Sequence, residues 1–548
     1  MRVKEVDVLI AGGGTVGLFA ALFLSRQGVS ALAVDRHTAP LVHPRAMGIG
    51  PRTVELMREA GIADAVDAIC MDMTGSNLQM FSAPTLAEAD LVALAEAAPP
   101  RTADLDQVTP QTLRGTCPQG RLDTVALRAA RASGATVDFG TELLTFEQDI
   151  DGVTAILSGP DGPYPVRAKF LVAADGARST VRSALGIATS GPGALGQPLV
   201  SVLFRSDLND LTHGRTFVVC DVTTPKAPGG LLPVDGDREW IYHFRYDPDA
   251  GESLENYTSA RCRELVRAAV GRADQEVEIV SILPWQVRAE IAERFRVGRV
   301  FLAGDAAHVI PPIAAFGMNT GVTDAHNLAW KLALVLQGKA DPALLETYET
   351  ERRPVVLDVM EQAMLRLTNP DPVLHWGRGA EAAAKRAEVG VMNVPVVHLG
   401  YRYDSAAVIG TLPLPSTEEI QIDLDGSPGS RIPHLWLERD GERISTLDLI
   451  RTRFTLLTAS DGGTWLDALA GVASKLGVEV DGFRIAPDGD VVDADAQWPR
   501  AAGITGSGAL LVRPDGFIGW RAAVLSEAPD EALFQALAEL LCFPTVRV

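Results

Sequence analysis

A strand that runs directly into a glycine-rich turn and then into a helix is the tightest constraint in this chain. Val6 to Ile10 is a short, mostly apolar run, as a parallel strand buried on both faces should be. Gly12-Gly13-Gly14-Thr15-Val16-Gly17 follows and fits G-x-G-x-x-G. The next stretch buries Val16, Ala20, Phe23 and Leu24 on a helix and stops near Gly28. A second strand, Ala31 to Val34, ends on Asp35. Glycines let a backbone approach a pyrophosphate seated on a helix N-terminus, and an acid about 20 residues further on binds a ribose hydroxyl. Gly12, Gly14, Gly17 and Asp35, with the adjacent Arg36, are candidate ligands of a dinucleotide. The pattern does not separate FAD from NAD.

The 548 residues are enough for roughly two to four domains. A formal charge of −21 argues against nucleic acid and against an anionic membrane surface as partners. Arg2 and Lys4 ahead of the uncharged run Val8 to Ser25 imitate a signal peptide or a short membrane span. Asp7, three consecutive glycines and the lack of an A-x-A-like site argue against both. Cys70, Cys117, Cys220, Cys262 and Cys542 are scattered, without C-x-x-C or metal-ligand spacing. They read as free thiols in a reducing cytoplasm, and no metal is expected.

A second strand–loop–helix unit spans Gly298 to Gly338. Val300 to Ala303 is an apolar run ending in Gly304-Asp305, where a carboxylate can accept hydrogen bonds from sugar hydroxyls. Pro311-Pro312 stiffens the loop, and Phe316-Gly317-Met318-Asn319-Thr320-Gly321 opens a helix with Asn319 or Thr320 as its expected N-cap. Ala325, Leu328, Ala329, Leu332 and Leu336 keep helical spacing. Such a glycine-flanked N-terminus suits an electron-rich group, for example the N1–C2=O edge of a reduced flavin.

Three further segments lie between these two. His43-Pro44-Arg45-Ala46-Met47-Gly48 precedes a helix carrying Arg52. Cys117-Pro118-Gln119-Gly120-Arg121-Leu122-Asp123 opens another. Phe170 to Ala173 runs into Asp175-Gly176-Ala177-Arg178-Ser179-Thr180-Val181-Arg182, a D-G-x-x-S-x-x-R pattern. Read alone, each has a bland alternative: Arg45 and Arg52 as solvated charges, Gln119 as an exposed helix start, Asp175-Gly176 as a turn.

Taken in order, these segments resemble the single-component flavoprotein aromatic-ring hydroxylases related to p-hydroxybenzoate hydroxylase, and especially those acting on bacterial aromatic polyketides. The resemblance implies an α/β fold: a discontinuous Rossmann-like FAD-binding domain (residues 1–72, 105–190 and 276–395), an inserted β-sheet substrate domain (73–104 and 191–275), and a thioredoxin-like C-terminal domain (400–548). It implies non-covalent FAD and NAD(P)H, with NADPH favoured. It places Asp305 on the ribityl chain, Arg45 near the pyrophosphate and the nicotinamide, Gln119 on the ribityl side, and Asp175 and Arg182 at cofactor contacts. Arg52 is expected to be a solvated charge. Gly304, Gly317, Met318 and Asn319 border the flavin, and Pro311 and Pro312 shape the oxygen-side wall. Alanines at 314 and 315 stand where that family often has glycines.

From about 190 to 275 strand patterns dominate, and Trp240, Tyr242, Phe244 and Trp285 either line an aromatic substrate pocket or belong to the core. Past residue 400, Arg453 to Leu457, Trp465 to Leu476, Ala509 to Val512, Phe517 to Trp520 and Ala532 to Cys542 read as strand, helix, hairpin and closing helix. This domain lacks C-x-x-C, so a packing or dimer-supporting role is expected rather than redox chemistry. The implied reaction is hydroxylation of an aromatic, polycyclic polyketide by NAD(P)H and O2 through a flavin C4a-hydroperoxide. The alternatives are hydroxylation of a small phenol, Baeyer–Villiger insertion, or a non-oxygenating flavoprotein that serves as a binding partner. The protein is expected to be a cytoplasmic monomer or homodimer.

Overall fold

The computed structural model describes residues 4–76, 78, 80–97, 105–371, 373–374, 379–411 and 424–544. Three large sheets organise them. In the first, strand Lys4–Ala11 is central, paired in parallel with Ala31–Asp35 on one side and Gly162–Ala173 on the other. Val300–Leu302 extends the sheet beyond Gly162–Ala173, and Thr136–Phe139 extends it beyond Ala31–Asp35, both in parallel. Val8, Leu9 and Ile10 have no exposed surface, as expected for a strand covered on both faces. Helices α1 (Thr15–Arg26), α2 (Gln119–Ala132) and α3 (Phe316–Leu336) pack together over this sheet. The carboxyl ends of four parallel strands thus deliver Gly12, Asp35, Asp175 and Gly304 to one rim, where ligands of open α/β sheets bind.

The second sheet has seven strands, dominated by Thr189–Arg205 and its long antiparallel partner Glu278–Ala292. Glu278–Ala292 was assigned from sequence to the FAD domain. Its register with Thr189–Arg205 along most of its length puts it in this sheet instead. One face of the sheet is covered by helix Ser259–Val270, whose Cys262, Val266, Ala269 and Val270 are fully buried. Strand Met80–Ala83 and the short helix Leu91–Ala97 complete this unit, while the Pro99-Pro100 boundary and the rest of 98–104 lie outside the described residues.

The third sheet also has seven strands and carries helices Gly463–Leu476 and Pro529–Leu540. Its core is continuous with Trp330 of α3 and Leu344, so this domain is packed onto α3 rather than tethered beside it. Arg52 belongs to the same seam. It is not the solvated charge anticipated but is 5 % exposed, paired to Glu55 (2.8 Å) and donating to the Asp515 carbonyl (2.6 Å). The five cysteines are free thiols.

Candidate active site

The two strand–turn–helix units meet through one side chain. A Cβ on Gly304 would lie 2.7 Å from Val16, and one on Gly321 would lie 2.6 Å from it. Val16 at the start of α1 therefore fills a notch that only glycines leave open. Gly304 also has φ +59, a left-handed backbone that favours glycine. Asp324 of α3 fixes the turn from below: it accepts from Gly304 N–H (3.1 Å) and Arg352 Nε (2.8 Å), and its Oδ2 lies 2.6 Å from His308 Nε2. Burial would raise the Asp324 carboxyl, but His308 and Arg352 outweigh it and hold it below the usual carboxylate range. His308 is thus a buried brace, and Asp324 and Arg352 are positioning residues that no sequence motif flagged. Arg182 braces the same turn by donating to the Ala306 carbonyl (2.8 Å).

The first glycine turn has the shape a phosphate needs. A Cβ on Gly17 would sit 1.9 Å from the Gly12 carbonyl, and one on Gly12 would sit 2.2 Å from the Ala174 carbonyl, whereas the space before Gly14 is open. α1 begins at Thr15 with no side-chain cap, so its first N–H groups remain available to a ligand. Asp35 accepts from Gly13 N–H (2.7 Å) and from His37 N–H (2.8 Å), which holds its carboxylate at the sheet rim; Arg36 beside it is exposed. Asp175 Oδ2 accepts from Thr180 and Val181, and its Oδ1 is buried without a partner among the described residues. Such an orphan acceptor suits a donor from a bound molecule.

Gln119 and Arg45 approach from the other side. Gln119 Nε2 donates to Thr15 Oγ1 (2.8 Å), which donates to Asp123 (2.5 Å). Burial pushes Asp123 up to about 7, against the pull of Thr15 and Arg45. Asp123 gave no sequence signal, since its role depends on facing Thr15 across two helices. Arg45 is exposed in the cleft, and its positive charge acts on both Asp123 and Asp305. Asp305 opens to the cleft at its floor; crowding by protein raises its carboxyl, opposed by His308 and Arg45.

α3 starts at Phe316, three residues before its expected cap. Its N-cap is Ala315 at φ +56, preceded by Ala314 at φ +55, and no side chain caps it. Gly317 and Met318 lie in the first turn with their N–H groups directed out of the helix start. Asn319 is not the cap: its Oδ1 accepts from Gly50 N–H (2.8 Å), while its Nδ2 donates to the Gly48 (3.2 Å) and Ala315 (2.7 Å) carbonyls. It ties the arginine loop to α3 with a fully committed side chain. Pro311 is buried and Pro312 exposed, in a tight turn closed by Ile313 N–H on the Pro311 carbonyl (2.7 Å).

The second sheet closes the cleft, and of the four aromatic residues singled out above only Trp285 lies on the closing face. Tyr242 and Phe244 point into the core under helix Ser259–Val270, Tyr242 donating to the Pro228 carbonyl (3.3 Å) and Phe244 packing on Tyr257. Of the two alternatives, pocket or core, both residues take the core. The opposite face carries Ser201, Ile241, His243, Ser281 and Trp285, following strict alternation along the paired strands. His43, from the arginine loop, bridges this face, its Nδ1 2.6 Å from Ser281 Oγ and its Nε2 2.7 Å from Ser201 Oγ. Burial, helped by Arg45, lowers the His43 imidazole to about 4. Among the described residues no His/Cys/Asp/Glu group is arranged for a metal, and no helix is long and apolar enough to cross a membrane.

Residues 5–363 match the FAD binding domain family, and residues 425–544 match the aromatic-ring hydroxylase C-terminal family. The chain belongs to the FAD-dependent aromatic-ring hydroxylases. It is 41% identical to tetracenomycin A2 monooxygenase-dioxygenase of Streptomyces glaucescens, over 99% of this chain and 98% of that one. Aklavinone 12-hydroxylase of Streptomyces purpurascens is 39% identical, over 95% and 96% of the two chains. The crystal structure of an aklavinone-11 hydroxylase in ternary complex with FAD and aklavinone superposes with a TM-score of 0.85 at 37% identity, covering 99% of this chain and 100% of that one. FAD is accordingly the cofactor of this hydroxylase, and its chemistry is monooxygenation of an aromatic substrate. The cradle at Gly12 to Gly17, the orphan Asp175 oxygen and the uncapped start of α3 fit that dinucleotide.

Proposed function

We propose that this hydroxylase oxygenates a polycyclic aromatic polyketide, with NADPH as reductant and O2 as oxidant. The observation that carries the reading is the pairing of an uncapped α3 N-terminus with a sheet face whose Ser201 and Ser281 are bridged by His43. Behind these polar groups Leu203, Val234 and Ile241, with Met47 and Leu232 packed against them, form a buried apolar cluster that gives the face a rigid backing for a flat ring system. The relatives named for tetracenomycin and aklavinone support the same substrate class.

In this reading Gly12 to Gly17 and the start of α1 hold the pyrophosphate, Asp35 a ribose, and Asp305 the ribityl chain. Arg45, Gln119 and Asp175 complete the cofactor contacts. Bound FAD supplies the activation of O2 for transfer to an electron-rich ring. The N–H groups of Gly317 and Met318 stabilise negative charge at the helix start. Pro311 and Pro312 wall the oxygen side and exclude water. The sheet face orients the ring.

The test is NADPH oxidation by the FAD-loaded protein in air, with a tetracyclic naphthacenequinone and a single-ring phenol, peroxide being quantified. The reading holds when the tetracycle accelerates NADPH oxidation with little peroxide. It fails when only the phenol does.

A further inference from the structure

The sheet face that closes the cleft carries two histidines in opposite situations. Both nitrogens of His43 are engaged by serines. His243, on the neighbouring strand and directly opposite Ser201, has no protein partner for either nitrogen among the described residues. Its Nδ1 is buried outright, which leaves Nε2 as the nitrogen that the cleft can reach. With the neutral ring's proton on Nδ1, Nε2 is an acceptor on a ligand-facing surface with no protein donor among the described residues, which points to a ligand as its partner. The ring is held in place by Trp285, 5.6 Å away between centroids and tilted by 37°. Across the sheet its other neighbour is Gly230, which has no side chain to cover it.

We propose that His243 is a substrate-binding residue that accepts a hydrogen bond from a phenolic hydroxyl at the edge of the polycyclic substrate, with Trp285 packing beside the ring system. The inference rests on the substrate class proposed above. An acceptor there fixes which edge of the polycycle enters the cleft, and so which carbon faces the flavin. The role is acceptance rather than proton removal. Burial, with His43 adding to it, lowers His243 to about 4, and so weak a base does not deprotonate a phenol that ionises near about 10. The same burial keeps the imidazole neutral at physiological pH, and the tautomer with its proton on Nδ1 leaves the Nε2 lone pair available.

The test uses a hydroxyanthraquinone whose hydroxyl is remote from the carbonyls, and its methyl ether, which lacks the donor. Dissociation constants for the FAD-loaded protein are read from perturbation of the flavin absorbance. The wild type should bind the hydroxyl compound about three- to tenfold more tightly than the ether, the range of one net hydrogen bond. His243→Phe, which keeps a ring against Trp285, should bind both alike, and His243→Gln should restore part of the preference. Flavin content and thermal midpoint report whether the variants are folded. A wild type that binds both probes equally, or a His243→Phe protein that keeps the preference, overturns the assignment and leaves the substrate class standing. A wild type that binds neither probe overturns the polycyclic reading, and the role of His243 with it.

Discussion

Glu351 and Arg513 form a bidentate pair in which neither side chain has exposed surface, with Nη1–Oε1 2.6 Å and Nη2–Oε2 2.9 Å. The first residue lies on helix α4 (Thr347–Thr368), the second in the C-terminal domain. Lys331 of α3 donates to the same carboxylate (2.7 Å), and Asp515 receives Arg513 together with Trp330 and Asn327 of α3. Arg352, next to Glu351 in sequence, binds the Asp324 that holds the Gly304 turn. The C-terminal domain is therefore fastened, through buried charge, to α3, the helix whose N-terminus is proposed to face the flavin. Its lack of C-x-x-C is consistent with that packing role.

Arg513→Met should lower stability by about 3–5 kcal/mol, because it leaves Glu351 and Asp515 buried with too few counter-charges. Denaturant unfolding measures this directly. Adding Glu351→Met should recover part of the loss, as expected for residues within one network.

Gly17→Ala should give protein without FAD, since its new Cβ would collide with the Gly12 carbonyl at 1.9 Å. Gly14→Ala meets no protein atom within 4 Å, so it should fold normally and weaken only cofactor retention. The ratio of flavin to protein absorbance, together with thermal midpoints of the apoproteins, separates the two outcomes.

Ala314 and Ala315 hold a left-handed backbone that disfavours any residue with a Cβ. Ala315→Gly should stabilise the protein by a few tenths to about 1 kcal/mol, the relief being partly offset by the greater freedom of glycine in the unfolded chain. Ala315→Val should be destabilising, since a β-branched residue suits this backbone still less. Chemical denaturation of the two variants provides the comparison.

His398 packs under Gly50 and Phe316, and burial lowers it to about 4. It is neutral when folded and protonates near 6.5 when unfolded, so the unfolded state binds more protons between those values. The stability it contributes is therefore lost as pH falls from about 6.5 to about 4, at up to about 1.4 kcal/mol per pH unit. Asp123, raised to about 7, works in the opposite direction, its contribution falling as pH rises through the same range. The clean observable is consequently a difference. The stability of wild type relative to His398→Phe should shrink on acidification across this window, as read from urea midpoints at several pH values.

The flavin-binding half was legible because its constraints are local. Gly12 to Gly17, Asp175 to Arg182 and Gly304-Asp305 each sit within a few residues of a strand end, where sequence order and spatial order coincide. The true start of α3 was missed because a left-handed alanine, which sequence reasoning avoids, does what a side-chain cap was expected to do. The sheet face stayed ambiguous because aromatic character fits a pocket and a core alike. Strand alternation decides the matter instead: it turns Tyr242 and Phe244 toward the covering helix and His243 toward the cleft. Arg52 looked like an ordinary helix charge, and Asp324 and Arg352 belong to no motif. Arg52 is buried only when Asp515, 463 positions away, closes over it, and Asp324 and Arg352, 28 apart, meet only once their two helices pack.

The account stands most directly on where the oxygen goes. The FAD-loaded protein, NADPH and a tetracyclic polyketide phenol should be incubated under oxygen gas enriched in the heavy isotope, and the product weighed by mass spectrometry. The account predicts a ring-hydroxylated tetracycle carrying labelled oxygen, formed in step with NADPH consumption. Unchanged tetracycle, with all NADPH consumption recovered as peroxide while a single-ring phenol is oxygenated, would contradict it.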